Sequence, residues 1–154
     1  MQVSEVLRVK GNALFTVTPE SMLSDGIETM AEHDVGSLVV MDHGRLAGML
    51  TFREIIRVLA RRQLEQRSGP TPPVAEIAVR QVMKTDPLVV SPQTDINELR
   101  RIMLDTRQRY VPVMDGTTLL GVISFHDVAR AVLEEQGFEN RMLKAYIRNS
   151  PSES

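Results

Sequence analysis

The chain has no cysteine and no tryptophan, and its 154 residues include only four phenylalanines and two tyrosines. Without cysteine there is no disulfide framework, no thiol nucleophile and no thiolate metal site. So few aromatics disfavour a stacking platform for single-stranded nucleic acid. No apolar run approaches the roughly 20 residues of a spanning helix. The opening Met1–Gly11 carries Glu5 and Arg8 within its apolar stretch, which is not the pattern of a secretory signal. A cytoplasmic protein without a membrane span is the expectation. The net charge is only −2, which argues against broad electrostatic capture of nucleic acid. Lysine is scarce, at three against fifteen arginines. Arginine suits bidentate contact with phosphate or carboxylate, although surface ion pairing explains such a bias more simply. His33, His43 and His126 share no metal spacing, and the glycines fit neither a P-loop nor a dinucleotide fingerprint.

What the chain does have is a repeat. A shift of 73 positions lays Phe15–Ala60 on Leu88–Leu133 without a gap, so that Pro19 meets Pro92, Met30 meets Met103 and Gly48 meets Gly121. Ahead of Phe15 the offset is 76, with Val3-Ser4-Glu5-Val6-Leu7 echoed by Val79-Arg80-Gln81-Val82-Met83. A period this long marks two copies of one supersecondary unit. One copy alone, at roughly 60–70 residues, would bury a marginal core, whereas the pair is of ordinary domain size. In each copy a short β-branched piece (Thr16-Val17-Thr18, Val89-Val90-Ser91) ends at a proline that stops the ladder. A helix with Ser21 or Thr94 as N-cap is predicted next, carrying Leu23, Ile27, Met30 and Ala31, or Ile96, Leu99 and Met103, at helical spacing. A hairpin follows (Leu38–Met41 with Leu46–Thr51; Val111–Met114 with Leu119–Ser124), and then a second helix from Phe52 or Phe125.

The predicted fold is therefore α/β (α+β), with two β-α-β-β-α repeats packed on each other. Repeat 1 spans residues 1–67, a linker 68–78, repeat 2 79–136, and a C-terminal helix and tail 137–154. Ser68-Gly69-Pro70-Thr71-Pro72-Pro73 reads as a semi-rigid spacer. Copy one carries a longer connection through Lys10-Gly11-Asn12, Glu139–Ile147 gives a final amphipathic helix, and Ser150–Ser154 is expected to fray.

The stretch Val-Pro-Val-Met-Asp at 111–115 followed by Leu-Leu-Gly-Val-Ile-Ser-Phe-His-Asp at 119–127 resembles the CBS domain, named after cystathionine beta-synthase. Copy one resembles it through Leu-Val-Val-Met-Asp at 38–42 and Leu-Ala-Gly-Met-Leu-Thr-Phe-Arg-Glu at 46–54. The resemblance implies a stand-alone pair, its two repeats related by a pseudo-twofold axis, that binds an adenosine compound (AMP, ADP, ATP, NAD(H) or S-adenosylmethionine) between the copies and regulates a partner protein. It also implies a homodimer, with no obligatory cofactor and no catalysis.

The chemistry is expected at Gly-x-x-[Ser/Thr]-x-x-[Asp/Glu], where a strand runs into a helix. A carboxylate there can accept from both ribose hydroxyls, and a helix N-terminus offers N–H groups to an anion. The same pattern is also a capping box, in which both side chains serve the helix instead. Thr51 and Glu54 fit the box well; Ser124 and Asp127 fit it less well, because aspartate is shorter. The resemblance implies that Asp127 is the ribose ligand and that the two sites are unequal. Around Asp127 the expected set is Thr85, Asp86 and Leu88 for the base wall, Val111 and Pro112 for the adenine edge, and Arg109, Tyr110, Ser124 and His126. The weaker site of repeat 1 has Lys10, Gly36, Ser37, Thr51, Arg53 and Glu54. An enzyme of nucleotide metabolism is disfavoured, since the chain has no cysteine for a covalent intermediate and no room for a barrel of about 250 residues. Against the sensor stand a ligand-free scaffold and a nucleic-acid binder.

Overall fold

The computed structural model describes residues 1–10, 14–66, 69–71 and 73–149. Gly11 and Asn12 of the first connection, Ser68 and Pro72 of the spacer, and the tail 150–154 lie outside them.

Both predicted hairpins form. β2 (Ser37–Asp42) pairs antiparallel with β3 (Arg45–Thr51), and β4 (Tyr110–Asp115) with β5 (Thr118–Ser124). The first turn places His43 at φ 50° and Gly44 at φ 79°, the pair of left-handed residues that a twist-matched two-residue hairpin requires. Each hairpin shifts register at the same point of the repeat, between Val40 and Met41 and between Val113 and Met114. β1 (Thr16–Val17) adds in parallel to β2. Its expected counterpart, Val89-Val90-Ser91, is reduced to one parallel bridge from Val90 to Val113.

The two helices that lead into the hairpins are α2 (Leu23–His33) and α4 (Ile96–Thr106). Their caps differ from expectation. The hydroxyls of Ser21 and Thr94 turn back to the N–H groups of Thr18 and Ser91, closing the proline turns instead of the helices. Met22 and Asp95 occupy the cap positions, and only Asp95 caps with its side chain, accepting from Asn97 N–H at 3.0 Å. The first helical donors are satisfied from elsewhere in the chain: Leu23 N–H donates to Ile77 O and Ile96 N–H to Met1 O.

Those two bonds belong to an exchange of opening segments. α1 (Val3–Lys10) starts copy one, yet its Val3 and Val6 are buried in the core of copy two with Ile96, Leu99, Val111 and Ile123. Val3 and Ser4 donate to Thr94 O and Pro92 O. Conversely, the opening of copy two runs through 3-10 turns at Val74–Glu76 and Val79–Gln81 and packs Ile77, Val79, Val82 and Met83 into the core of copy one. Met49 and Lys84 exchange both backbone hydrogen bonds. The equivalent glycines Gly48 and Gly121 lie where the exchanged segments cross. A Cβ at Gly48 would stand 2.5 Å from Lys84 O, and one at Gly121 would stand 3.2 Å from a Leu7 methyl.

α3 (Phe52–Glu65) and α5 (Phe125–Asn149) close the two copies. The separate C-terminal helix predicted after residue 136 is not separate: α5 runs unbroken through Gly137. One glycine costs a helix only about 1 kcal/mol, which its flanking helix formers offset. The outer half of α5 leaves Phe138, Met142, Leu143, Tyr146 and Ile147 exposed. Among the described residues, no helix is long and apolar enough to cross a membrane.

Candidate functional site

Two clefts lie between the copies, and the exchange of openings decides what lines them. The larger, of about 1030 Å³, joins Lys10, Leu14 and Phe15 from the start of copy one and Asp34–Ser37 after α2 to Ser124, Phe125 and His126 at the head of α5. Arg107, Gln108, Arg109 and Tyr110 extend it, while Asp127 does not itself line it and meets it through Lys10. The smaller, of about 410 Å³, is its counterpart under the 73-residue shift. It joins Pro87 and Leu88 from the start of copy two to Thr51–Glu54 at the head of α3.

The expected residues are therefore regrouped. Leu88 does not wall the larger cleft beside Asp127; it lines the smaller one with Thr51 and Glu54. Lys10, Gly36 and Ser37, assigned to the weaker site, line the larger cleft beside Ser124 and His126. Arg53, Arg109 and Tyr110 border both clefts, and Thr85 and Asp86 border neither. Val111 and Pro112 are buried and line neither cleft. Val111 belongs to the core of copy two, while Pro112 O accepts from Val90 N–H. The physical reason is the pseudo-twofold axis: it sets the opening of each copy against the strand-to-helix junction of the other. Leu14, Phe15, Val35 and Met103 carry no site assignment from the sequence, although Phe15 is the 73-residue counterpart of Leu88 and can be found that way.

At the head of α3, Thr51 N–H and Oγ1 both donate to Glu54 Oε1, at 2.8 and 2.7 Å, and Thr51 Oγ1 accepts from Arg53 N–H. This is the capping box read from the sequence, and it leaves Glu54 only 6% exposed. At the head of α5 the shorter aspartate closes the box too, contrary to expectation. Ser124 N–H donates to Asp127 Oδ2 at 2.9 Å and Asp127 N–H to Ser124 Oγ at 3.1 Å. The difference between the junctions is Lys10, whose Nζ donates to Asp127 Oδ2 and to Val122 O, each at 2.7 Å. Burial pushes the Asp127 carboxyl up, but the Lys10 ammonium and the backbone and side chain of Ser124 outweigh it, leaving the pKa below its ordinary value. All of the bonds that the carboxylate accepts fall on Oδ2; among the described residues Oδ1 has no hydrogen-bond partner.

The larger cleft also carries cations. Arg107 and Arg109 make no ion pair among the described residues, and Arg53 spans the copies to donate to Arg107 O at 2.7 Å. Arg107 ends α4 in the left-handed region at φ 57°. Apolar walls come from Leu14, Phe15, Val35, Met103 and Phe125, and Phe15 is stacked on His33 at 4.1 Å between centroids. Tyr110 reaches over Gly36, where any Cβ would collide with its hydroxyl. The larger cleft thus offers an apolar slot and guanidinium groups that make no ion pair among the described residues, with the Asp127 carboxylate at a helix head held by Lys10 of its wall. That combination matches the sugar, phosphate and base of a nucleotide.

The family model for the CBS domain matches residues 3–61 and 79–134, and the chain belongs to the CBS-domain family, with two copies of the domain. It is 30% identical over 153 residues to the CBS domain-containing protein CBSX3, mitochondrial, of Arabidopsis thaliana, covering 95% of this chain and 71% of that protein. The crystal structure of the CBS-domain containing protein ATU1752 from Agrobacterium tumefaciens matches with a TM-score of 0.74 at 27% identity, over 85% of this chain and 98% of that one. The crystal structure of CBSX2 in complex with AMP matches with a TM-score of 0.69 at 25% identity, over 88% and 98%.

Proposed function

We infer that the chain is a non-catalytic sensor of adenine nucleotides, which it binds in the larger cleft. The reading rests above all on Asp127, a carboxylate at a helix head with one oxygen uncommitted, beside a cleft lined by guanidinium groups without ion pairs. Oδ1 accepts from the ribose hydroxyls, the apolar slot takes the base, and Arg107 and Arg109 meet the phosphate. Lys10 has three N–H donors and spends two within the chain, which leaves the third for the phosphate. AMP, ADP, ATP, NAD(H) and S-adenosylmethionine share the adenosine that this arrangement recognises, and the complex of CBSX2 with AMP supports the class. Because the cleft is built from both copies, a ligand that prefers one angle between them shifts the population of states. The shift reaches a regulated protein or a second copy of the chain through the exposed helix faces, α5 foremost.

A thermal-shift titration with AMP and NAD(H) on wild type and Asp127→Ala tests this. A ligand at 100 times its dissociation constant stabilises the fold by about 2.7 kcal/mol, a rise of roughly 5–10 °C for a chain of this length. The rise should appear in wild type and vanish in the variant; a rise that survives Asp127→Ala moves the site elsewhere. One observation favours a second reading, a ligand-free scaffold: Lys10 already neutralises Asp127 from within the chain. Silence with every adenosine ligand would favour the scaffold.

A further inference from the structure

The smaller cleft adjoins a groove of about 280 Å³ along α3. Arg53, Arg57 and Arg61 follow one another at four-residue intervals on that helix, and all three line the groove with Lys84 and Gln81. Arg53, Arg57 and Lys84 also line the smaller cleft, so cleft and groove share one cationic wall. Residues four apart on a helix stand on one face, and eight residues of helix extend the row over about 12 Å. None of the four cations is ion-paired among the described residues. Arg53 spends one N–H on Arg107 O. The lone carboxylate of the wall, Glu54, is buried and engaged by Thr51. Like charges so arranged repel one another unless an anion lies among them.

The repeat supplies an internal control. Under the 73-residue shift Arg53, Arg57 and Arg61 fall on His126, Arg130 and Glu134. Lys84, by the 76-residue offset of the openings, falls on Arg8. The cationic row is thus a feature of copy one and not of the repeat. The row also continues from the pocket edge, not from the outer side of the helix, since Val58 between Arg57 and Arg61 is buried.

We propose that this groove binds a linear inorganic polyphosphate chain of three or more phosphates. Guanidinium groups bind phosphate oxygens through paired donors, and the row presents them in sequence along one line. Apart from Arg53, which also borders the larger cleft, the site is separate from that cleft and does not depend on the sensor reading.

Calorimetry on the full chain tests it with sodium tripolyphosphate, ATP and AMP. The variants are Arg57→Ala/Arg61→Ala, two exposed positions, with Arg130→Ala as the matched control in copy two. Tripolyphosphate should bind wild type and Arg130→Ala alike and lose at least tenfold in affinity in the double variant, whereas ATP, which the larger cleft also accepts, should keep binding there. The proposal fails if tripolyphosphate does not bind, if the double variant binds it as wild type does, or if Arg130→Ala costs as much. AMP affinity that depends on Asp127 but not on Arg57 and Arg61 keeps the two sites distinct. An absence of binding by AMP and every other adenosine ligand would overturn the sensor reading and leave this one standing.

Discussion

Among single residues, Lys10 and Asp127 are the pair that separates the two copies. The capping geometry is nearly the same at Thr51–Glu54 and Ser124–Asp127, so capping alone cannot make one of them a binding site. Lys10 comes from the exchanged α1 and helps hold the Asp127 carboxylate below its ordinary pKa. A group whose folded pKa is depressed stabilises the fold above its unfolded value, and that stability is lost as pH falls through the folded pKa. Lys10→Met removes one of the groups that depress it, so the acid transition should start at a higher pH than in wild type. Acid titration followed by circular dichroism reads this directly, and coincident transitions would deny the pair any role in acid stability. The same variant should weaken AMP more than adenosine, because the ammonium serves the phosphate and not the sugar. Equal losses for both ligands would place Lys10 at the ribose.

Among the elements, the hairpins and the helix cores are legible in the sequence because their periodicity is local. The caps are not. Ser21 and Thr94 are good cap residues by type, but each helix head takes a backbone carbonyl from the opposite opening, leaving the hydroxyls to the proline turns. The unbroken run of α5 is hidden for a related reason, since one glycine is a weak stop when the flanking residues favour helix. The equivalent glycines at the crossings allow a graded test. At Gly48 an added Cβ meets a backbone carbonyl that also bonds Met49, while at Gly121 it meets a flexible leucine methyl. Gly48→Ala should cost about 1–3 kcal/mol, the usual range for overpacking a core, and Gly121→Ala distinctly less. Urea denaturation of both variants measures the difference, and equal costs would mean that the crossing at Gly48 can relax.

For the molecule as a unit, the exchange of openings makes the two copies one cooperative body. Val3 is fully buried in the core of copy two although it begins copy one. Val3→Ala should therefore destabilise the whole chain, by up to about 1.5–3 kcal/mol, the worth of burying such a side chain. Thermal unfolding should remain a single transition, whereas two separate transitions would show that the copies fold independently. For the same reason residues 79–154 alone, lacking Val3 and Val6, should not reach the stability they have in the full chain. Short-range periodicity, and one copy compared with the other, suffice for the repeat, the two hairpins, the helical faces, the family and the candidate status of Asp127 and Glu54. They do not say which opening meets which junction, that Lys10 rather than Thr85 or Asp86 attends Asp127, or that α3 carries a continuous cationic wall into a groove. Those facts come from the packing of the copies alone. Pairing across a pseudo-twofold axis depends on contacts between residues tens to more than a hundred positions apart, and two equivalent copies present the same local pattern whichever way they are joined.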